Sequence, residues 1–162
     1  MIRHHFEGLF SDTDQASLAR DLAGRTWELC EFIVRVLGRS ELGTGLRGRN
    51  VAWHHGCHAL RELHVREEPL LLLRNAGATL VDWEAAEECC GFGGLFSVKM
   101  PEVSAAMADR KLDTLATAMP DVVTSTDAGC LMQLRSRAQR RGIGTPFRHV
   151  AHLLVEAANG SS

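Results

Sequence analysis

The chain has 162 residues, 45% hydrophobic and 23% charged, enough for one domain with a buried core. A formal charge of −2 and the absence of Tyr argue against a nucleic-acid surface. No apolar run approaches the roughly 18 residues that span a bilayer. The opening MIRHHFEGLF lacks the apolar centre of a signal peptide, so the expected compartment is the cytoplasm. Thiols stay reduced there, and five cysteines point to metal binding or catalysis before disulfides.

Residues 13–37 read as a helix. Asp12 or Thr13 caps it, Trp27, Cys30, Val34 and Leu37 share one face, and Gly38 stops it. The stretch from Gly38 to Asn50 holds four glycines and three arginines and reads as a loop. Val51–His55 is a short strand, followed by Gly56 and Cys57. A helix is expected over Glu62–Asn75, a strand over Thr79–Trp83, then Cys89, Cys90 and Gly91. Pro101 starts a helix that runs over Glu102–Ala118. Asp121–Thr126 is a third strand, and Leu131–Arg141 is a helix stopped by Gly142. Thr145–Phe147 adds a short strand before a last helix over Val150–Ala158, and 159–162 is expected to be a disordered tail.

Strand–helix alternation of this kind makes an α/β fold with a small parallel sheet flanked by helices. Ligands of such sheets bind beyond the carboxyl ends of the strands. Cys57, Cys89, Cys90 and Cys130 all follow predicted strands, in the pattern C-x31-C-C-G-x38-C. They are therefore expected to meet at one sheet edge.

Four thiolates suit an iron–sulfur cluster or zinc. Zinc sites usually draw on cysteines separated by two to four residues, so that both sulfurs reach one small ion. The only close pair here is adjacent, and neighbouring side chains diverge, so they more easily reach two irons of a cluster. An iron–sulfur cluster is the expected cofactor and zinc the alternative, with dithiol chemistry of Cys89 and Cys90 third. Adjacent cysteines rarely form a relaxed disulfide. Gly91, Gly93 and Gly94 follow the pair and let the backbone approach a bulky group. The segment does not match G-x-G-x-x-G, because position 96 is Phe, so a nicotinamide site is rejected.

The blocks HHGCHALREL, ECCGFGGLFSVKMPEVSAAMADRKL and STDAGCLMQL resemble the CCG cysteine-rich domain. This family occurs in subunits of heterodisulfide reductase, glycolate oxidase and the lactate utilisation system, and the likeness to the last covers nearly the whole chain. The resemblance implies a 4Fe–4S electron-transfer subunit, cytoplasmic, that works with partner subunits in oxidising L-lactate, or glycolate, to the 2-oxo acid. It implies Cys57, Cys89, Cys90 and Cys130 as ligands, with Gly91 and Gly93 lining the cofactor. No base, hydride acceptor or substrate pocket is evident, so full activity of the chain alone is not expected. The heterodisulfide reductase motif ends in C-x-x-C, and its last position is Gln133 here. That leaves four thiolates, enough for a 4Fe–4S cube. Family members typically carry two such modules, so the chain looks like the second one. Residues 1–50 would be a connector, 51–158 the cysteine-rich domain, and self-association through an exposed apolar face is expected.

Other residues have plainer readings. His54, His55, His58 and His64 crowd around Cys57, and a histidine there can ligate a cluster or carry protons. His58, beside the cysteine, is the first candidate. Cys30 is expected as a buried core thiol. Arg135, Arg137, Arg140 and Arg141 form a helix face that offsets an anionic cluster, attracts a carboxylate or is simply solvated. Glu87 and Glu88 put negative charge before the cysteine pair, and Asp127 is expected to cap the helix after it.

Overall fold

The computed structural model describes residues 1–160. Four parallel strands form one sheet: β1 (Asn50–Trp53), β2 (Thr79–Leu80), β3 (Val122–Ser125) and β4 (Phe147–His149). Their spatial order is β2-β1-β3-β4. Val51 pairs with Leu80 on one side and with Val122 on the other, and Thr124 pairs with Arg148. The chain leaves β1 toward one edge and returns from β2 to the far side of β1. The crevice where such an order reverses, between β1 and β3, is the place where α/β sheets hold ligands.

Nine helices accompany the sheet among the described residues: α1 (Ile2–Leu9), α2 (Ala16–Gly24), α3 (Leu29–Glu31), α4 (Cys57–Arg61), α5 (Glu67–Asn75), α6 (Leu95–Lys99), α7 (Pro101–Ala118), α8 (Ala128–Arg140) and α9 (Val150–Asn159). A π-helical segment, Phe32–Val36, extends α3. Strand alternation sends Val51, Trp53 and Val122 to one face, where they pack against Leu72 and Leu73 of α5 and Leu153 and Leu154 of α9. Cys30 and Leu46, both fully buried, join that core. Ala52 and Val123 face the other way, toward Leu112 and Leu115 of α7 and Leu131 and Leu134 of α8. Each buried leucine contributes on the order of 2 kcal/mol through apolar burial.

The structure corrects several expected boundaries. The predicted helix over 13–37 is broken, because the Glu28 side chain accepts hydrogen bonds from Cys30 N (2.7 Å) and Glu31 N (3.0 Å) and starts a new helix. Trp27 and Leu37 are consequently exposed, and Trp27 stacks under the Arg3 guanidinium at 4.8 Å. The helix predicted over 62–75 starts only at Glu67, as α5, and a separate short helix, α4, precedes it. His64 takes a positive φ of 55° between them, which turns Val65 into the core. The second strand ends at Leu80 rather than Trp83. Trp83 instead drops onto α7, where its indole N–H reaches Thr114 Oγ1 (2.9 Å) and Lys111 O (3.2 Å). The final strand shifts as well: it begins at Phe147, two residues later than expected. Asn159 closes α9, and Ser161 and Ser162 of the expected tail lie outside the described residues. No helix among the described residues is long and apolar enough to cross a membrane.

Candidate metal centre

All four motif cysteines sit beyond the carboxyl edge of the sheet, and each is placed by a different local device. Cys57 is the first residue of α4, directly after β1. Cys130 lies in the first turn of α8, where Asp127 accepts from its backbone N–H at 2.9 Å and so caps the helix. Both therefore belong to helix starts. The segment after β2 folds back over the end of β1: Ala86 O accepts from His55 N at 3.1 Å and lies 3.2 Å from His54 Nδ1. This fold-back delivers Cys89 and Cys90.

The next turn is built on glycine. Gly91, Gly93 and Gly94 all have positive φ. Gly91 N–H donates to Cys89 Sγ at 3.4 Å, and Gly91 O accepts from Ser104 Oγ at 2.7 Å. Gln133 Nε2 donates in turn to Ser104 Oγ at 2.8 Å. Gln133 thus occupies the position of the missing cysteine as a brace, linking α8 to α7 and α7 to the glycine turn.

The five cysteines are free thiols. Cys90 and Cys130 are buried, while Cys57 and Cys89 are partly exposed. The adjacent cysteines turn to different partners. Cys90 pairs with Cys130: hydrogen bonding from the Cys130 thiol pulls Cys90 down to about 5, against its own burial, with help from the Phe92 N–H. Cys130 is pushed up, first by that same hydrogen bond and then by burial. The pair shares one proton. Cys57 stands with Cys89; burial pushes the Cys57 thiol up and Cys89 adds to it. Cys30 lies apart in the other core, fully buried, and burial pushes its thiol up.

Lys111 of α7 is fully buried beside this set. Its ammonium lies over the Trp83 ring at 4.3 Å and donates to Ala85 O. Burial lowers its pKa to about 8, and the charges of Cys90, Glu88, Cys130 and Cys57 pull it back up. It is the buried cation that faces the thiolates, and it was not singled out in the sequence.

The histidines separate clearly. His54 is fully buried, and its ring packs at 6.2 Å from Trp83. Its donor nitrogen and the sulfurs of Cys90 and Cys130 all lie within 4.8 Å of one another. His58, the first candidate on sequence, instead faces out and pairs with Glu62 at 3.0 Å. His55 accepts from Trp53 Nε1 at 3.2 Å. Strand alternation held the signal for His54: it shares a face with Ala52, the face that packs on α7.

The charged residues are mostly paired. Arg137 forks onto Asp109 of α7 at 2.8 and 2.6 Å, and Arg141 reaches Asp113 at 2.6 Å, so these two tie α8 to α7. Arg135 lines a groove of about 570 Å³ beside α8, with Arg148, His149 and His152. Glu87 and Glu88 do not leave net negative charge before the cysteines, because Arg66 and Arg110 bind them.

Burial lowers His55 to about 4, with the nearby Glu87 opposing. Its folded pKa lies below the unfolded value near 6.5, so the unfolded chain binds the proton first as pH falls. Stability of the metal-free protein is therefore expected to fall between pH 6.5 and 4, by about 1–2 kcal/mol after discounting for partial solvation. Urea unfolding across that range should show the slope flattened in His55→Gln.

Comparison with known proteins gives this chain a family. The cysteine-rich domain family, CCG, matches residues 51–135, over half of the chain. The chain is 39% identical to lactate utilization protein A of Geobacillus sp. (strain WCH70), over 95% of this chain and 65% of that protein. It is 35% identical to lactate utilization protein A 2 of Bacillus cereus (strain 03BB102), over 98% of this chain and 66% of that protein. For lactate utilization protein A of Bacillus cytotoxicus the identity is 37%, over 93% and 64%. The chain thus spans a little under two thirds of the length of these relatives. With the motif cysteines converging at the switch-point edge inside the matched region, the chain belongs to the CCG cysteine-rich domain family.

Proposed function

We propose that the chain is the cluster-bearing, electron-transferring part of a system that oxidises L-lactate, or glycolate, to the 2-oxo acid. The observation that carries this reading is the convergence of Cys57, Cys89, Cys90 and Cys130 as free thiols at the sheet's switch-point edge. The names of the relatives supply the metabolic setting.

The donor set fits an iron–sulfur cluster. Two thiol pairs face each other across strands, one buried and one half-open, and the glycine turn leaves room for a bulky group. A bound 4Fe–4S cluster would store and pass one electron at a time. The cysteines of this set would hold it. Gly91 N–H would donate to the Cys89 sulfur, and Lys111 would offset the anionic charge. Trp83, Ala52, Val123 and Leu131 would keep water from the buried side. Cys57 and Cys89 lie on the accessible side, where a redox partner approaches.

Oxidation of a 2-hydroxy acid releases two electrons and two protons, so other subunits must bind substrate and take the second electron. Residues 51–158 form the cluster unit of this proposal and 1–50 its connector, acting in the cytoplasm with those subunits or a second copy.

One observation favours a second reading. His54, Cys90 and Cys130 stand close enough to share a single ion, which suits a zinc-stabilised scaffold. Anaerobic purification followed by iron, acid-labile sulfide and zinc analysis separates the two. Iron and sulfide in equal amounts, with visible charge-transfer absorbance, are expected. Stoichiometric zinc without sulfide rejects the cluster.

A further inference from the structure

We propose that His54 is a ligand of the metal centre, its Nε2 binding beside the sulfurs of Cys90 and Cys130. The inference rests on the metal-centre reading above, but not on whether the centre is a cluster or a single ion.

Three observations carry it. First, His54 Nε2 is buried and has no hydrogen-bond partner among the described residues. An unsatisfied buried polar atom is costly and calls for an explanation. Second, the other ring nitrogen is spoken for. Nδ1 lies 3.2 Å from Ala86 O, and a carbonyl only accepts, so Nδ1 carries the hydrogen. Nε2 is left with its lone pair free. Metal-bound histidines show this arrangement, with one nitrogen donating to a carbonyl and the other on the metal.

Third, the ring has thiol neighbours and a rigid mount. The donor atoms of His54, Cys90 and Cys130 lie within 4.8 Å of one another, and all three residues are buried. The His54 backbone N–H extends the ladder of β1 to Thr124 O at 2.8 Å, and Trp83 packs beside the ring. The same carbonyl that fixes the tautomer belongs to the fold-back that delivers Cys89 and Cys90. Moving the cysteine pair would therefore move the brace of His54. The other nearby histidines lack this combination: His55 accepts from Trp53 and His58 pairs with Glu62.

The test uses the full chain labelled with 15N-histidine, reconstituted anaerobically with iron and sulfide, then reduced. Hyperfine spectroscopy should show a strongly coupled histidine nitrogen, lost in His54→Ala. His54→Cys restores an all-thiolate set; it should keep its iron, lose the nitrogen coupling and move the reduction potential to a more negative value. A loaded wild-type centre without nitrogen coupling overturns the proposal, as does coupling that survives His54→Ala.

Failure of wild-type protein to take up iron and sulfide would instead reject the cluster reading. Co(II) then poses the same question of a single ion. A paramagnetically shifted imidazole N–H signal that disappears in His54→Ala supports His54 as a ligand, and its absence from wild type, or failure to bind Co(II), overturns it.

Discussion

Replacing Cys90 with alanine is expected to abolish metal loading, whereas the same change at Cys30 should leave it intact. Cys90 is 2% exposed and sits between Cys130 and His54. It is already held as a thiolate, at about 5, so metal binding there displaces little proton affinity. Removing it leaves the Cys130 thiol buried without its acceptor, at a cost of about 1–3 kcal/mol to the metal-free protein. Cys30 lies in the opposite core, and Cys30→Ala should cost about 1 kcal/mol through the small cavity it leaves. Iron and sulfide per chain after reconstitution distinguish the two variants, and full loading of Cys90→Ala would remove it from the ligand set. A pH signature accompanies the loss. Because the folded pKa of Cys90 lies below that of the unfolded thiol, metal-free wild type gains stability as pH rises from about 5 toward 9. Cys90→Ala should lack that gain, as read by urea unfolding at each pH.

Much of this architecture was legible because local rules and tertiary packing agreed. Pro101 opens α7, Asp127 caps α8, and the apolar runs around Val51 and Val122 became the two central strands. The cysteines were expected to meet on the assumption that their strands are parallel neighbours, and β2, β1 and β3 do lie side by side. What escaped were one local cap and several features decided by distant contacts. The break in the predicted helix over 13–37 depends on the Glu28 carboxylate turning back onto its own chain, and the shortened β2 depends on Trp83 finding Thr114 and Lys111. Lys111 looks like any helix-surface lysine until Trp83 and Ala85 close over it. Of the four histidines near Cys57, His54 carried its signal only in strand alternation with Ala52, which the count of neighbouring histidines hid. Gln133 read as a gap in a motif, yet its amide is part of the frame that holds the glycine turn.

That frame explains why the site is built where two helices start and two loops cross. Cys57 and Cys130 come from consecutive positions in the sheet, while Cys89 and Cys90 arrive on a segment with little strand pairing of its own. The segment is instead fastened to α7 and α8 by Ser104, Gln133, Lys111 and the Glu88–Arg110 ion pair. Exposed ion pairs contribute little each, so the buried contacts at Ser104 and Lys111 matter most. Geometry at the metal centre therefore depends on how closely the glycine turn lies against α7.

Gly91→Ala is expected to be among the most damaging single-methyl changes available to this chain. Gly91 has φ +82°, and a Cβ there would lie 2.5 Å from Ser104 O and 3.1 Å from Met107 Cβ. The conformation costs an L residue about 1–2 kcal/mol on its own. The clash adds to this, because the oxygen it meets is helix backbone and cannot swing aside. Relief requires the turn to lift from α7. That would break the Ser104 Oγ–Gly91 O bond at 2.7 Å and the Gln133 link behind it, and would shift Cys89 and Cys90 together. We expect a loss of about 3 kcal/mol or more in urea unfolding, together with sub-stoichiometric iron after reconstitution. Gly94→Ala is the matched control: its φ is +55°, but nothing lies within 4 Å of the added carbon. It should show only the conformational cost and retain its iron. A Gly91→Ala protein within about 1 kcal/mol of wild type and fully loaded would mean that close packing of this turn on α7 does not set the positions of the cysteines.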